Sequence, residues 1–82
     1  MTAKEMFEKL GFKQETMIEE CINYTKSISN DNGCEINIMF LLDDKCVGAS
    51  IGNPLLFRYE EYCINPQELQ AMYQQMKELG WL

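Results

Sequence analysis

Both ends of the chain carry matched helix signals, which constrain the fold more than any other feature of the sequence. Thr2 and Glu5 form a capping-box pattern, in which each side chain accepts a hydrogen bond from the other residue's backbone N–H. The helix predicted over 3–10 ends at Gly11-Phe12, because glycine readily adopts the left-handed conformation common just after a helix. The sequence therefore predicts a short helix at the start of the chain.

The same signals recur near the C-terminus. Asn65 is a candidate N-cap followed by a proline, and Glu68 stands three residues after it. The helix predicted over 66–79 again ends at a glycine followed by an aromatic residue, Gly80-Trp81. Two helices therefore bracket a middle segment of different character.

An apolar stripe on the closing helix predicts which of its faces is buried. Its residues recur at i, i+3, i+4, i+7 and i+10, opposite a side rich in glutamine. We expect the stripe to pack on a sheet that includes Ile36, Ile38 and Phe40. The residues of the stripe are Leu69, Met72, Tyr73, Met76 and Leu79.

The segment 13–28 is ambiguous, because its apolar residues fit one side of a helix or alternate as in a strand. Isoleucine, tyrosine and threonine are enriched after Cys21, and the hairpin dipeptide Asn32-Gly33 follows. These features favour a strand over about 19–28.

Three further strands are predicted from alternation and turn residues. Strands over 34–42 and 46–51 are separated by the acidic turn 43–45, and a last strand covers 55–63 after a break at 52–54. The sequence therefore predicts an α+β fold. An antiparallel β-meander of three to four strands is bracketed by an N-terminal and a C-terminal helix packed on the sheet.

The length and the charge of the chain limit its class. A chain of 82 residues predicts a single domain spanning 1–82. Apolar runs such as Met39 to Leu42 are far too short to cross a bilayer, and the N-terminus does not resemble a signal peptide. We expect a soluble, cytoplasmic protein. Its net charge of −6 disfavours direct binding to nucleic acid or to an anionic membrane, since both require a basic surface.

The residues that usually carry chemistry are few. The chain has no histidine, no phosphate-binding loop and no Cys-x-x-Cys pair, and Asp43-Asp44 is most simply a solvated turn. We expect no enzymatic activity, no cofactor and no metal site. The cysteines are expected to be buried structural thiols, with disulfides and a zinc site as the alternatives. They are Cys21, Cys34, Cys46 and Cys63.

The two ends also resemble a known group of proteins. The opening segment 2–12, TAKEMFEKLGF, is similar to the start of small uncharacterised phage and prophage proteins of low-GC Gram-positive bacteria. The segments 68–71 (ELQA) and 77–81 (KELGW) resemble their closing helix. The resemblance implies a phage context, a strand-rich middle and the host-cell cytoplasm, but no activity. The middle of this chain departs from the pattern in detail.

Aromatic residues beside acids are the candidates for partner binding. Tyr59, Glu60, Glu61 and Tyr62 stand together in the last predicted strand. Aromatic side chains supply buried area at interfaces, while acids steer a basic partner. An ordinary strand with solvated glutamates explains this segment equally well. We predict stoichiometric binding to a bacterial protein partner, with inhibition of a defence or host factor as one outcome.

Two alternative functions stay open at this point. An acidic nucleic-acid mimic would block the basic groove of a nuclease or a CRISPR effector, and it would need its acids on one face. A structural or assembly protein would act as a homo-oligomer, and a homodimer is compatible with the sequence. Neither alternative involves catalysis.

Overall fold

The structure is a computed structural model, and it describes residues 1–15, 20–28, 33–53 and 55–82. The helices are α1 (Ala3–Lys9) and α2 (Pro66–Glu78). The strands are β1 (Lys13–Glu15), β2 (Cys21–Ser27), β3 (Glu35–Leu41), β4 (Cys46–Asn53) and β5 (Arg58–Glu61). They form one antiparallel sheet in the order β1-β2-β3-β4-β5. The predicted α+β meander is confirmed, with five strands in place of three to four.

The strand boundaries differ from the prediction at three places. The extra strand, β1, lies in the ambiguous segment and was missed because it is polar and only three residues long. β4 continues through Asn53 instead of breaking at Gly52, and β5 is shorter than predicted because 55–57 form a turn. The predicted start of β2 at Glu19 and the hairpin residue Asn32 lie outside the described residues.

Both predicted helix starts are capping boxes. The Thr2 side chain accepts from the Glu5 N–H at 3.2 Å, and Glu5 Oε1 accepts from the Thr2 N–H at 2.9 Å. The backbone N–H and the hydroxyl of Thr2 both donate to Glu5 Oε1 and lower the pKa of the Glu5 carboxyl, because they stabilise its charged form. At α2, Asn65 and Glu68 exchange the same two bonds, at 2.8 and 3.0 Å.

Both predicted helix ends are also confirmed, and they are closed in the same way. Gly11 and Gly80 take positive φ values of 94° and 77°, which a residue with a side chain adopts only at a cost. The N–H of Phe12 then donates to the carbonyl of Phe7, and the N–H of Trp81 donates to that of Met76, each at 2.9 Å. These turns fold the two aromatic rings back towards the core.

The core lies between the helices and one face of the sheet, which we call the helix face. Cross-strand register places Tyr24, Ile38 and Ala49 side by side on this face. The ring of Phe7 on α1 stacks on Tyr24, with the ring centroids 4.0 Å apart. The buried residues of the cluster are Phe7, Phe12, Tyr24, Ile36, Ile38, Phe40 and Ala71. The opposite, open face is covered by neither helix.

The predicted buried stripe of α2 is wrong in two positions. Leu69 and Tyr73 are 57% and 54% exposed, whereas Glu68, Ala71 and Gln75 are buried. The small side chain of Ala71 faces the core, so the buried line is displaced by one residue. Its other members, Met72, Met76 and Leu79, are partly buried against the core as expected.

Two tyrosine hydroxyls offset the cost of burying polar side chains of α2, because each donates a hydrogen bond to one of them. Tyr24 donates to Gln75 Oε1 at 2.6 Å, and Tyr62 donates to Glu68 Oε2 at 2.7 Å. The N-terminal helix is tied to the same surface, since the Ala3 N–H donates to Glu78 Oε2 at 2.8 Å. Polar partners thus let α2 bury a face that its sequence pattern disfavours.

Candidate functional site

Two hairpins of the sheet have loops of equal length but opposite chemistry. Residues 42–45 join β3 to β4, and residues 54–57 join β4 to β5. The last residue of each loop has a positive φ, 53° at Lys45 and 52° at Phe57. These two are the non-glycine residues with positive φ in the described chain. A bulky side chain in this conformation is a true outlier, so Phe57 is the unusual member of the pair.

In the β4–β5 loop, the side chains of Leu55, Leu56 and Phe57 are apolar and face solvent. Leu55 is 78% exposed, Leu56 62% and Phe57 85%, and we call these three residues the apolar tip. The β3–β4 loop instead presents Asp43, Asp44 and Lys45, as the sequence predicted for a solvated turn. Three consecutive large apolar side chains in water form a patch of the kind that marks interaction sites.

Backbone and amide contacts hold the apolar tip in place without using its side chains. Asn53 Oδ1 accepts from the Leu55 N–H at 2.9 Å, and the Asn53 carbonyl accepts from the Leu56 N–H at 3.1 Å. This is an Asx-type turn, which asparagine forms readily. The turn is therefore specified by Asn53, and Leu55 to Phe57 are left free for contacts outside the fold.

A glycine next to the loop brings β5 close to β4. A Cβ atom on Gly52 would collide with the carbonyl oxygen of Arg58 and lie 2.7 Å from the Cα of Tyr59. The close approach of the neighbouring backbone therefore accounts for a glycine at this position. No such restriction applies to Gly48 in the same strand, whose Cβ would meet nothing within 4 Å.

The apolar tip borders a cleft of about 890 Å³ at the end of the sheet, which we call the tip cleft. Ile51 and Glu60 are paired across β4 and β5, and both line the cleft, so it opens on the helix face. Ile28, 46% exposed, and the side chains of Leu56 and Phe57 supply further apolar wall. An apolar centre with charged groups at its rim is the arrangement common at protein–protein interfaces.

The predicted partner-binding residues are brought together only in part. Tyr59, Glu60 and Glu61 lie exposed on the edge strand β5, with Glu60 on the helix face and the other two on the open face. Tyr62 lies after the strand, half-buried and bonded to Glu68. Burial and this hydrogen bond raise the pKa of Tyr62 to about 12. Tyr62 therefore holds α2 in place and is separate from the exposed group.

The apolar tip was missed because Leu55 to Phe57 alternate acceptably as the start of a strand. A cue was present in the Asn53-Pro54 dipeptide, which favours turn initiation and would have shifted the next strand towards the C-terminus. Turn chemistry was thus the informative feature at this position, and periodicity was misleading.

The cysteines differ from the expectation that all four are buried. Cys21 is buried, which raises the pKa of its thiol, and Cys34 is half-buried at the tip cleft. Cys46 and Cys63 are exposed, and all four thiols are free. Across residues 1–15, 20–28, 33–53 and 55–82, no three His, Cys, Asp or Glu side chains group as metal ligands would.

The open face carries a second, smaller depression of about 400 Å³, lined in part by Asn37, Met39 and Gly48. The Oδ1 atoms of Asn37 and of Asn23 on the neighbouring strand are buried without a hydrogen-bond partner. Both asparagines are half-buried as residues.

Comparisons with family models, with curated proteins and with solved structures found no match for this chain. In the described part of the chain, neither helix has the length and apolar character needed to cross a membrane. Function is therefore inferred from the geometry of the site.

Proposed function

We propose that this protein acts by binding another protein stoichiometrically, and that the apolar tip and the tip cleft form the contact surface. The observation that carries the proposal is Phe57, which is 85% exposed and held at a φ of 52°. A left-handed conformation costs an L-residue roughly 1–2 kcal/mol. Exposing the ring gains nothing for the fold, so a benefit outside the fold accounts for a phenylalanine at this position.

Burial of the apolar tip against a partner would offset the cost of the left-handed conformation. Burying an exposed leucine or phenylalanine side chain contributes about 1.5–3 kcal/mol each. Three adjacent side chains projecting from a hairpin can act as the anchors that dominate protein interfaces. Arg58 and Glu60 at the rim of the cleft add charges of both signs, which favour a particular orientation of the partner.

The resemblance to phage proteins supports a bacterial protein as the partner, such as a defence or host factor, and an inhibitory outcome. The nucleic-acid mimic remains a prediction without a supporting observation, because Glu60 and Glu61 lie on opposite faces of β5. The exposed tip also gives the protein an apolar contact that a phosphate mimic does not need.

Comparative affinity capture from bacterial lysate tests the proposal. Tagged wild-type protein, Phe57→Ala and Lys45→Gly are used in parallel, and the captured proteins are identified by mass spectrometry. Phe57→Ala removes the ring from the apolar tip, while Lys45→Gly alters the equivalent position of the β3–β4 loop. We expect one protein, in equal molar amount, that is captured by wild type and Lys45→Gly and lost with Phe57→Ala.

Purified components then check the same contact directly. The affinity of the identified partner, measured by calorimetry, should fall at least about tenfold with Phe57→Ala or Leu56→Ala. Equal capture by Phe57→Ala and wild type would rule out the apolar tip as the binding surface. Direct, tight binding of the wild-type protein to DNA or RNA would reject the proposal as a whole.

A further inference from the structure

Strand β5 forms an open edge of the sheet. It has four residues, Arg58–Glu61, all exposed, and β4 is its only neighbour in the described part of the chain. Among the described residues, one side of its backbone therefore has no strand partner, and such edges readily pair with another strand.

The charges of β5 are complementary to a second copy of the same strand. We infer that two copies of this chain pair antiparallel through β5, with Tyr59 on the two-fold axis. Directly opposed residues in an antiparallel pair point to the same face, so Arg58 of each copy then faces Glu60 of the second copy. The dimer gains two opposite-charge pairs from a single register.

The neighbouring register is disfavoured by the same side chains. Moving the two-fold axis to Glu60 keeps the faces matched but sets Glu60 against Glu60 of the second copy. Like charges directly opposed across a strand pair are destabilising. Shifting the register of the two β5 strands by an odd number of residues would place the helix face of one copy beside the open face of the other. Charge and face together therefore select the axis at Tyr59.

Tyr59 adds apolar contact at the axis. It is 50% exposed on the open face, so its ring can pack on the equivalent ring of the second copy. On the helix face, the paired Arg58 and Glu60 side chains separate the two tip clefts. Pairing would therefore place the two clefts on the same face of a joined sheet, one on either side of these charge pairs.

The opposite edge, β1, carries a related pattern but fits less well. Lys13 and Glu15 would also be complementary about Gln14, yet β1 has only three residues. Glu15 is already engaged, because its Oε1 accepts from the Thr25 hydroxyl at 3.2 Å. No exposed large apolar side chain stands in β1, whereas β5 has Tyr59 and follows the apolar tip.

A charge-swap experiment tests this inference without a known partner. Sedimentation equilibrium of wild type over a concentration series should show a monomer–dimer equilibrium. Arg58→Glu and Glu60→Arg should each weaken dimerisation at least about tenfold, because each sets like charges against each other twice. An equimolar mixture of the two variants should recover a heterodimer, since each opposed pair then joins an acid of one copy to a base of the other.

Two controls separate β5 pairing from a general charge effect. Lys13→Glu changes net charge as Arg58→Glu does, and Glu61→Arg matches Glu60→Arg but lies on the open face. Both should leave the dimer constant within about twofold of wild type. A wild-type protein that stays monomeric, or a mixture that fails to associate better than either variant alone, would overturn the inference. Loss of the dimer with Lys13→Glu would assign it to β1 instead.

Discussion

The hydroxyl of Tyr24 donates a hydrogen bond of 2.6 Å to Oε1 of Gln75, joining the middle of the sheet to α2 inside the core. Tyr24 is 1% exposed and Gln75 6%, so neither group has ready access to water. A buried amide oxygen without a donor is costly. The pair therefore fixes which face of α2 turns inward.

Alkaline pH should destabilise the protein through the hydroxyls of Tyr24 and Tyr62, which both donate to side chains of α2. Burial, with Glu78 and Glu8 nearby, raises the pKa of Tyr24 from 10.0 to about 12, and the pKa of Tyr62 rises equally. The native state holds these protons more tightly than the unfolded chain. Their contribution to stability is therefore complete below pH 10 and is lost as pH rises to about 12. Urea unfolding at pH 8, 10 and 11.5 measures this decline.

Tyr24→Phe provides the matched variant for that experiment. At pH 8 it should lower the free energy of unfolding by about 1–3 kcal/mol, because Gln75 Oε1 loses its donor. Its decline at high pH should be smaller than that of wild type, since one titrating group has been removed. Identical pH profiles for the two proteins would contradict the role of Tyr24.

Two glycines of β4 should respond oppositely to the same substitution. Gly52→Ala should lower the free energy of unfolding by about 1–3 kcal/mol, because its Cβ would overlap the Arg58 carbonyl of β5. Gly48→Ala, on the same strand and the same face, has open space and should be neutral or stabilising by about 0.5 kcal/mol. Denaturant unfolding of both variants measures the contrast, and equal effects would show that the strand approach is not restrictive.

The helix ends and the central strands could be predicted from the sequence because short-range interactions determine them. A capping box or a glycine stop depends on residues only a few positions apart, as at Thr2 to Glu5 and at Gly80. The alternation of Ile36 to Phe40 also reports one buried face directly. These features kept their predicted form in the structure.

Periodicity did not predict the buried face of α2 or the apolar tip, because the first depends on a distant partner and the second on a local turn. The buried side chain of Gln75 is satisfied by a donor from Tyr24, 51 positions earlier. Phe57 looked like a strand residue because alternation does not reveal that Asn53 has already turned the chain. Periodicity therefore failed where a polar contact or a turn overrides it.

The burial of Ile38 on β3 and the exposure of Leu69 on α2 can be tested directly, because the two side chains are isomers. Ile38→Ala should cost about 2–5 kcal/mol, because Ile38 is 0% exposed in the cluster beneath the helices. Leu69→Ala removes the same number of atoms from a side chain that is 57% exposed, and should stay within about 0.5 kcal/mol of wild type. Denaturant midpoints measure both changes. A large loss of stability with Leu69→Ala would restore the stripe that the sequence predicted.

Phe57 should show an inverse relation between stability and binding. Phe57→Gly relieves the left-handed strain at a φ of 52° and should raise the free energy of unfolding by about 0.5–1 kcal/mol. The same variant should lose the proposed partner, because it lacks the ring that we propose as the anchor. Phe57→Ala should lose the partner without gaining stability, since the strain remains.

Lys45→Gly completes the comparison, because Lys45 holds the equivalent position at a φ of 53°. It should gain stability as Phe57→Gly does, yet retain the partner. Thermal or urea unfolding and calorimetric titration of the three variants supply both readouts. If Phe57→Gly instead destabilised the protein, the ring would be supporting the hairpin, and its exposure would no longer argue for a binding role.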